Sequence, residues 1–214
     1  VAIIRTIALP EKKKAGSNAG VIVKRGLLRF VHMLMNVYIQ VFRGTPMIVQ
    51  AVVIYYGAQY AGVYMDTTFA AIFIISINTG AHMAEIIRGG IVSVDKGQFE
   101  AAHAIGMTHW QTMTTVVLPQ AIRNILPSVG NELIVNIKDS SVLNVISVSE
   151  LFFQAKSAAG TYYRYFEVYF IIAVIYLILT LSVSAILRAV EKKMDGPDNS
   201  VSYTHLTLPT TSRV

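Results

Sequence analysis

The feature that most constrains this chain is an uninterrupted apolar stretch near its C-terminal end. Val168–Leu187 contains no charged residue, and about 20 apolar residues in a helix can cross the hydrocarbon core of a bilayer. Backbone polar groups inside a bilayer must be paired within the protein, so such a stretch is expected to be helical. Arg188, Lys192 and Lys193 follow it, as basic residues do on the cytoplasmic side of spanning helices.

The composition extends this expectation to the whole chain. Of the 214 residues, 54% are hydrophobic and 14% are charged, whereas about 25% of the residues of a soluble domain are charged. The net charge of +6 at pH 7 does not indicate nucleic acid, because Lys and Arg cluster between apolar runs. Without cysteine, disulfides and thiolate metal sites are excluded. We therefore predict an all-α, polytopic membrane helical bundle.

Three further stretches are predicted to span the membrane. Met47–Tyr64 is nearly uncharged, and its helix is expected to begin a few residues before Pro46, where the proline favours a start or a kink. Thr68–Ile87 is the clearer of the remaining two. Thr114–Ile137 is more polar, which suits a helix at the centre of a bundle with little lipid contact.

The segments between these stretches predict the orientation. Pro10–Arg29 is rich in Lys and Arg and is expected to be a cytoplasmic loop. The turn around Asp66 has no basic residue and should be external. Arg88–Gly90 should close the second span on the cytoplasmic side, before the polar segment 91–111. Lys138–Arg164 is expected to be an external loop, by counting spans.

The two ends of the chain are interpreted separately. Val1–Leu9 has the composition of the end of a helix whose beginning is missing, so we expect an N-terminal truncation. We assign residues 1–193 to one transmembrane domain and 194–200 to a tail. Val201–Val214 resembles translated sequencing-adapter sequence, and we expect it to be a non-native addition.

Several polar residues of the predicted spans are candidates for a solute path. Asn78, His82 and Glu85 fall on one helix face, and they can either hydrogen-bond to a neighbouring helix or line the path. Glu85 can also pair with Arg88 at the end of the helix. Glu132 can meet a cationic solute or a neighbouring helix, and the sequence does not decide between them.

The residues after the third span offer a similar choice. The run that begins at Lys138 can be a solute gate or a turn capped by its own side chains. The complete candidate path consists of Asn78, His82, Glu85, Glu132, Lys138, Asp139 and Ser140. Arg43 is expected to be structural. His103 and His109 have no acidic companions and make a poor metal site, so we expect no bound metal.

The polar segment contains a short helix of small residues, Glu100–Gly106. Its alanines favour a helix and Gly106 favours a stop. Glu100 is expected near the helix start, where a negative charge is favoured. Phe99, Ile105 and Trp110 supply apolar contacts. Such a helix can lie in a groove of a partner protein or flat on the membrane surface.

The spacing of this segment matches a known pattern. It resembles the signature loop of permease subunits in binding-protein-dependent ATP-binding-cassette importers, which more often has Ile where Val116 stands. The matching positions are Glu100, Ala101, Ala102, Gly106, Val116, Leu118 and Pro119. Further stretches look like the polar amino acid branch of that family: residues 41–50, 84–91, 96–100, 117–121 and 135–142.

The resemblance implies an architecture and a set of partners. It implies a type I importer permease in the bacterial cytoplasmic membrane, with five spans, of which four are visible, an external N-terminus and a cytoplasmic C-terminus. A second permease copy or paralogue, two cytoplasmic ATPase subunits and an extracytoplasmic amino-acid-binding protein are the implied partners. The helix at about Lys96–Met107 would dock in a cleft of the ATPase, and ATP-driven closure would switch the permease from inward- to outward-open. The implied coupling residues are Lys96, Gly97, Phe99, Glu100, Ala101, Ala102, Ile105, Gly106, Leu118 and Pro119.

Other functions are less consistent with the sequence. The chain has no Gly-x-x-x-x-Gly-Lys-Ser/Thr phosphate loop. ATP and Mg²⁺ are therefore expected on the partner ATPase, with no cofactor bound by this chain. An importer of another small solute remains an alternative, although residues 43–50 favour amino acids. A membrane-embedded enzyme would need a nucleophile or metal motif that the sequence lacks, and no repeated filter-like loop supports an ion channel.

Overall fold

The computed structural model describes residues 19–195, and the side chains of residues 26–193. The predictions for Val1–Leu9 and for Val201–Val214 lie outside the described residues, as do the first part of the predicted basic loop and nearly all of the predicted tail. Every regular element within the described range is a helix, which agrees with the predicted all-α class.

Eight α-helices follow one another along the described range. They are α1 (Ala19–Gly44), α2 (Met47–Tyr60), α3 (Thr67–Val92), α4 (Lys96–Ala104), α5 (His109–Gln111), α6 (Leu118–Asp139), α7 (Leu151–Tyr162) and α8 (Tyr165–Asp195). A π-helical segment, Thr112–Val117, joins α5 to α6, and a 3₁₀ helix, Ser140–Ile146, directly follows α6.

Two helices of the described range are long and apolar enough to cross a membrane by themselves. They cover Thr67–Val92 and Tyr165–Lys193, which agrees with the predicted spans Thr68–Ile87 and Val168–Leu187. The more polar α6 does not reach this apolarity, but it contacts α3 on one side and α8 on the other. Such a position is the one expected for a polar helix at the centre of a bundle.

The predicted span Met47–Tyr64 is wrong in its bounds. The helix does not begin before Pro46: the chain breaks there, and Gly26–Gly44 and Met47–Tyr60 meet at 114°. Pro46 has extended backbone angles and immediately precedes α2. The 14 residues of α2 extend about 21 Å, less than the hydrocarbon core of about 30 Å.

Two predicted loop regions are helical instead. From Ala19 onward, the predicted basic loop is part of α1. The predicted loop Lys138–Arg164 contains the 3₁₀ helix and α7. Here Glu150 supplies the helix start, because its carboxylate accepts hydrogen bonds from the N–H groups of Phe152 at 2.7 Å and Phe153 at 2.6 Å. In addition, α3 ends at Val92, two residues past the expected end at Gly90.

Two apolar clusters hold the bundle together. The Ile74 cluster joins α2, the first half of α3 and the 3₁₀ helix; its buried members are Ala51, Ala70, Ala71, Ile74, Leu143 and Ile146. The Val117 cluster joins the end of α3 to the start of α6; its buried members are Ile91, Val94, Val117 and Ala121. Polar side chains of α3 lie between the two clusters along the helix.

Candidate functional site

The short helix α4 is closed at both ends by its own residues. Asp95 precedes it, and its carboxylate accepts a hydrogen bond from the Gly97 N–H at 2.6 Å. Glu100 therefore lies in the middle of the helix, and the prediction that it lies near the helix start is wrong. Gly106 has a positive φ of 82°, which confirms its predicted role as a stop.

The chain reverses after α4 through a Schellman motif. The N–H of Met107 donates to the carbonyl of Ala102 at 3.1 Å, and the N–H of Gly106 donates to the carbonyl of His103 at 3.0 Å. Thr108 then begins α5 with a capping box, in which it exchanges hydrogen bonds with Gln111. The backbone of this turn is therefore satisfied without help from the rest of the bundle.

The residues Lys96–Gln111, which we call the docking segment, present two different faces. Ala102 is buried, and the half-buried Phe99 packs against the Val117 cluster; contact of Phe99 with a partner stays a prediction. Ile105 and Trp110 are 79% and 75% exposed. Lys96, Gly97, Glu100, Ala101 and Gly106 are also exposed. Large exposed apolar side chains in a polar segment are typical of an interaction surface.

The buried face connects the docking segment to two long helices. Leu118 packs against the Val117 cluster, and Pro119 lies exposed in the first turn of α6. Beneath them α3 and α6 are very close: a Cβ added to Gly90 would lie 2.0 Å from Ile125 Cγ2 and 3.2 Å from the Ala121 carbonyl oxygen. A displacement of α4 would therefore act on both helices through packed side chains.

The candidate path residue Asn78 closes the break between α1 and α2. Its amide donates to Gln50 Oε1 at 2.9 Å and to the Phe42 carbonyl at 3.3 Å. The Gln50 amide in turn donates to the carbonyls of Phe42 and Thr45, both at 2.9 Å. Asn78 thus makes the helix–helix hydrogen bonds that were one of its two predicted roles.

Glu85 lies nearer the end of α3 between two basic residues. Arg88 Nε donates to Glu85 Oε1 at 2.7 Å, which agrees with the predicted ion pair. Arg43 Nη1 lies 3.9 Å from Glu85 Oε2, so Arg43 also ties α1 to α3. The third residue of the predicted face, His82, is half-buried.

The remaining candidate path residues lie at the other end of α6. The hydroxyl of Ser140 donates to the Ile137 carbonyl at 2.8 Å and that of Ser141 to the Lys138 carbonyl at 2.7 Å. These are bonds to carbonyls three residues earlier in a continuous helix, because α6 passes directly into the 3₁₀ helix, so the predicted turn is not present. Lys138 is exposed, whereas Asp139 and Glu132 are half-buried.

The candidate path residues do not converge on one cavity. A cavity among the described residues has a volume of about 390 Å³, and only Ser140 of the seven candidates borders it. Its lining is Ile75, Asn136, Ile137, Ser140, Glu150, Leu151, Tyr176 and Leu179. Within the same described range, no group of three His, Asp or Glu side chains is placed to hold a metal ion.

Several structurally important polar residues were not anticipated from the sequence. Gln50 is one of them, although an amide inside a nearly uncharged run is itself a signal. Tyr38 donates to the Ile77 carbonyl at 2.6 Å, and Thr79 donates to Asn136 Oδ1 at 3.0 Å. Their partners lie 39 and 57 residues away in sequence, so no local pattern reveals these bonds.

Comparison with known proteins identifies the family to which this chain belongs. The family model described as "Binding-protein-dependent transport system inner membrane component" matches residues 16–196. This chain is a member of that family. It is accordingly the permease subunit of an ATP-binding-cassette importer of the inner membrane and not itself an enzyme, and it works with ATPase and solute-binding partners.

Named relatives of the permease come from several bacteria. The glutamine transport system permease protein of Escherichia coli (strain K12) is 43% identical over 160 residues, which cover 74% of this chain and 73% of that protein. The arginine transport system permease protein of Bacillus subtilis (strain 168) is 40% identical over 162 residues, covering 75% and 74%.

Solved structures show the same architecture. An amino acid ABC transporter solved with histidines matches this permease with a TM-score of 0.74 and 44% identity, over 77% of each chain. A methionine ABC transporter in an inward-facing conformation matches with a TM-score of 0.62 and 20% identity, over 91% of this chain and 86% of that one. The second match shows the fold alone.

Proposed function

We propose that this permease imports polar amino acids. The observation that carries the proposal is the set of relatives at 40–43% identity, which are named for glutamine and arginine transport. A solved amino acid transporter at 44% identity supports the same class. The relatives named for glutamine transport and for arginine transport have nearly equal sequence identity to this permease. The comparison therefore supports a class of solute and does not select one amino acid.

The ATPase is proposed to dock on the exposed face of the docking segment. Ile105 and Trp110 provide apolar contacts there, and Glu100 provides a charge between them and the helix start. Lys96, Gly97, Ala101 and Gly106 complete the contact surface. Behind it, Phe99, Ala102 and Leu118 pass the movement of α4 to α3 and α6, with Pro119 in the first turn of α6.

The energy for this movement is proposed to come from the partner. Closure of two ATPase subunits, which hold ATP and Mg²⁺, displaces α4 and opens the permease outward, and hydrolysis resets it. A second permease copy or paralogue and an extracytoplasmic amino-acid-binding protein complete the transporter. This agrees with a docking segment whose buried face, but not its exposed face, is packed on the bundle.

The proposed orientation places the docking segment and the C-terminus in the cytoplasm. The helices α3, α6 and α8 alternate in direction if each crosses once, so the start of α6 and the end of α8 share one side. Arg188, Lys192 and Lys193 follow the apolar part of α8, and basic residues favour the cytoplasmic side. The amino-acid-binding protein then meets the opposite ends of these helices.

The docking role is tested with Glu100→Arg in the complete transporter. The permease, its ATPase and its binding protein are reconstituted in liposomes, and ATPase association and amino acid uptake are measured. Glu100→Arg should reduce both by about tenfold or more, because a reversed charge must be placed in a protein interface. Glu167→Arg is the matched control for ATPase association, since Glu167 is exposed in the first turn of α8, at the other end of the bundle. Normal association and uptake by Glu100→Arg would contradict the docking role.

The solute class is tested in the same liposomes. Uptake of arginine, histidine, glutamine and glutamate is compared, and at least one should be transported in an ATP-dependent manner. A permease that transports none of them but transports another small solute would contradict the amino acid proposal. That result would leave the docking proposal in place, because ATPase association is measured separately.

A further inference from the structure

Two flanks of α6 are occupied by neighbouring helices. Ile125 lies against Gly90 of α3, and Asn136 accepts a hydrogen bond from Thr79 on the same helix. On the other flank, a Cβ added to Gly130 would lie 3.1 Å from Leu187 Cδ1 of α8. Two lengthwise faces of α6 remain between these flanks.

The two remaining faces differ in chemistry. At 100° per residue, the first contains Asn124, Ser128, Asn131 and Lys138, which lie within about 40° of a common direction. We call this set the polar stripe. The opposite face, about 180° away, contains Ile122, Leu126, Val129 and Leu133, which we call the apolar stripe.

Three of the four side chains of the polar stripe have no polar partner among the described residues. All four of its side chains are exposed. Asn124 donates to Ser93 Oγ at 3.0 Å, but within the described residues the side chains of Ser128, Asn131 and Lys138 form no hydrogen bond or ion pair. Exposure alone does not separate the stripes, since Ile122 and Leu133 are each 49% exposed. What separates them is the need of the polar stripe for water or a polar partner.

The position of the stripe makes lipid an unsuitable neighbour. From Asn124 to Lys138 it runs about 21 Å along the helix, so it extends through most of a hydrocarbon core of about 30 Å. Amide, hydroxyl and ammonium groups at such depth turn to the bundle interior or to a water-filled cavity. Asn131 also borders a cavity of about 140 Å³ between α6 and α8, which is enough for a few water molecules.

We propose that the polar stripe lines the aqueous path of the transported solute, and that the apolar stripe faces away from this path. Ser128 and Asn131, near the middle of α6, offer hydrogen bonds to a passing solute. Lys138, at the end of α6 far from the docking segment, attracts a carboxylate. The solute that fits is small and polar and carries a carboxylate group. This inference rests on the proposed transport function and names residues for its path.

Cysteine chemistry tests the aqueous path directly, because the chain contains no cysteine. Ser128→Cys and Asn131→Cys are compared with Leu126→Cys and Leu133→Cys on the apolar stripe. Each variant is reconstituted with the ATPase and binding protein in liposomes and treated with a methanethiosulfonate that carries a trimethylammonium group. The polar-stripe cysteines should react at least about tenfold faster, because the charged reagent and the thiolate both require water.

Two outcomes overturn the proposal. In the first, the polar-stripe cysteines react as slowly as those of the apolar stripe, which shows lipid or a dry contact with a second copy. In the second, the apolar-stripe cysteines react faster. If the polar-stripe cysteines react quickly but the transporter takes up no amino acid, the proposed cargo is contradicted and the aqueous path is not. Failure of the path and failure of the amino acid proposal are therefore distinguishable.

The role of Lys138 has its own test. Lys138→Met should raise the KM for uptake of the transported amino acid by about tenfold, because an attraction to its carboxylate is lost, while association with the ATPase stays normal. Lys156→Met is the matched control, since Lys156 is also exposed but lies on α7. An unchanged KM for Lys138→Met, or an equal increase for Lys156→Met, would contradict the assignment.

Discussion

The helices are interrupted at two places. Long-range hydrogen bonds satisfy the freed backbone groups at one of them, and local hydrogen bonds satisfy those at the other. At the break between α1 and α2, the freed carbonyls of Phe42 and Thr45 are satisfied by buried amides of Gln50 and Asn78. At the docking segment, the backbone is satisfied locally by the caps around Asp95, Gly106 and Thr108. The first interruption depends on a residue 36 positions away, whereas the second depends on its own neighbours.

This difference separates a structural break from a functional one. A break closed by long-range hydrogen bonds fixes the relative position of three helices and uses its freed carbonyls within the bundle. A segment that caps itself keeps its shape while one of its faces stays exposed, so it can form an interface without disturbing the bundle. Substitutions in the two regions should therefore affect different measurements.

The largest effect is expected at the break. Gln50→Leu removes the three hydrogen bonds that the Gln50 amide donates and the one that it accepts from Asn78. It leaves the buried Asn78 amide with the Phe42 carbonyl as its remaining partner, which should destabilise the permease by about 2–3 kcal/mol. Equilibrium unfolding of the purified protein in detergent measures this change. Gln59→Leu, on the same helix, is the control and should be nearly neutral. Equal stabilities of the two variants would show that the break does not depend on Gln50.

A slightly smaller effect is expected where α3 supports the docking segment. Gly90→Ala places a methyl group into Ile125 and against the Ala121 carbonyl, so it should destabilise the permease by about 2 kcal/mol. Gly89→Ala is a control one residue away, because a Cβ there would have nothing within 4 Å. The same unfolding measurement applies. If both variants behaved alike, the close approach of α3 and α6 would be incorrect.

The sharpest test of the self-capped segment is Gly106→Ala. The positive φ of Gly106 should cost alanine about 1 kcal/mol, and a Cβ there would meet no atom within 4 Å. Association with the ATPase should weaken by about fivefold, while the unfolding of the bundle changes little. Gly106→Asn should restore part of the association, because asparagine tolerates this conformation. Gly57→Ala is the control, and an equal effect there would contradict the role of the turn.

The smallest effect is expected at Asp66, a third locally capped turn. Hydrogen bonds from the N–H groups of Phe69 and Thr68 hold the pKa of this carboxyl below its ordinary value of 3.8. Because the folded-state pKa is depressed, the stabilisation is present above pH 3.8 and is lost as the pH falls through the lower folded-state pKa. Asp66→Asn should retain the cap and show less loss of stability in acid. Identical acid unfolding of both proteins would contradict this assignment.

Features that depend on neighbouring residues were predictable from the sequence. The apolar runs of α3 and α8 and the stop at Gly106 are of this kind, because transfer into a bilayer and the left-handed conformation of glycine are local properties. The bounds of α1, α2 and α7 were not predictable in this way. Pro46 indicated a start or a kink, but not the angle of 114° between the two helices, and the start at Glu150 is not visible as a long apolar run.

The roles of individual side chains followed the same division. The ion pair of Glu85 with Arg88 was predicted correctly because the two residues are three positions apart on one helix. The inward position of Phe99 was not, since it depends on the Val117 cluster, which is assembled from α3 and from the residues that lead into α6. For Asn78 the sequence left two roles open, and the position of Gln50 on another helix decided that the amide closes the break.

The sequence by itself therefore determined that this protein is a membrane bundle with a short helix of small residues between two long helices. The tertiary structure alone decided how the broken α1–α2 pair is closed and which face of α4 remains exposed. It also decided which flanks of α6 are covered by α3 and α8 and that the polar stripe stays exposed. The physical reason is that hydropathy and caps involve residues close in sequence, whereas hydrogen bonds and packing between helices join residues that the sequence separates.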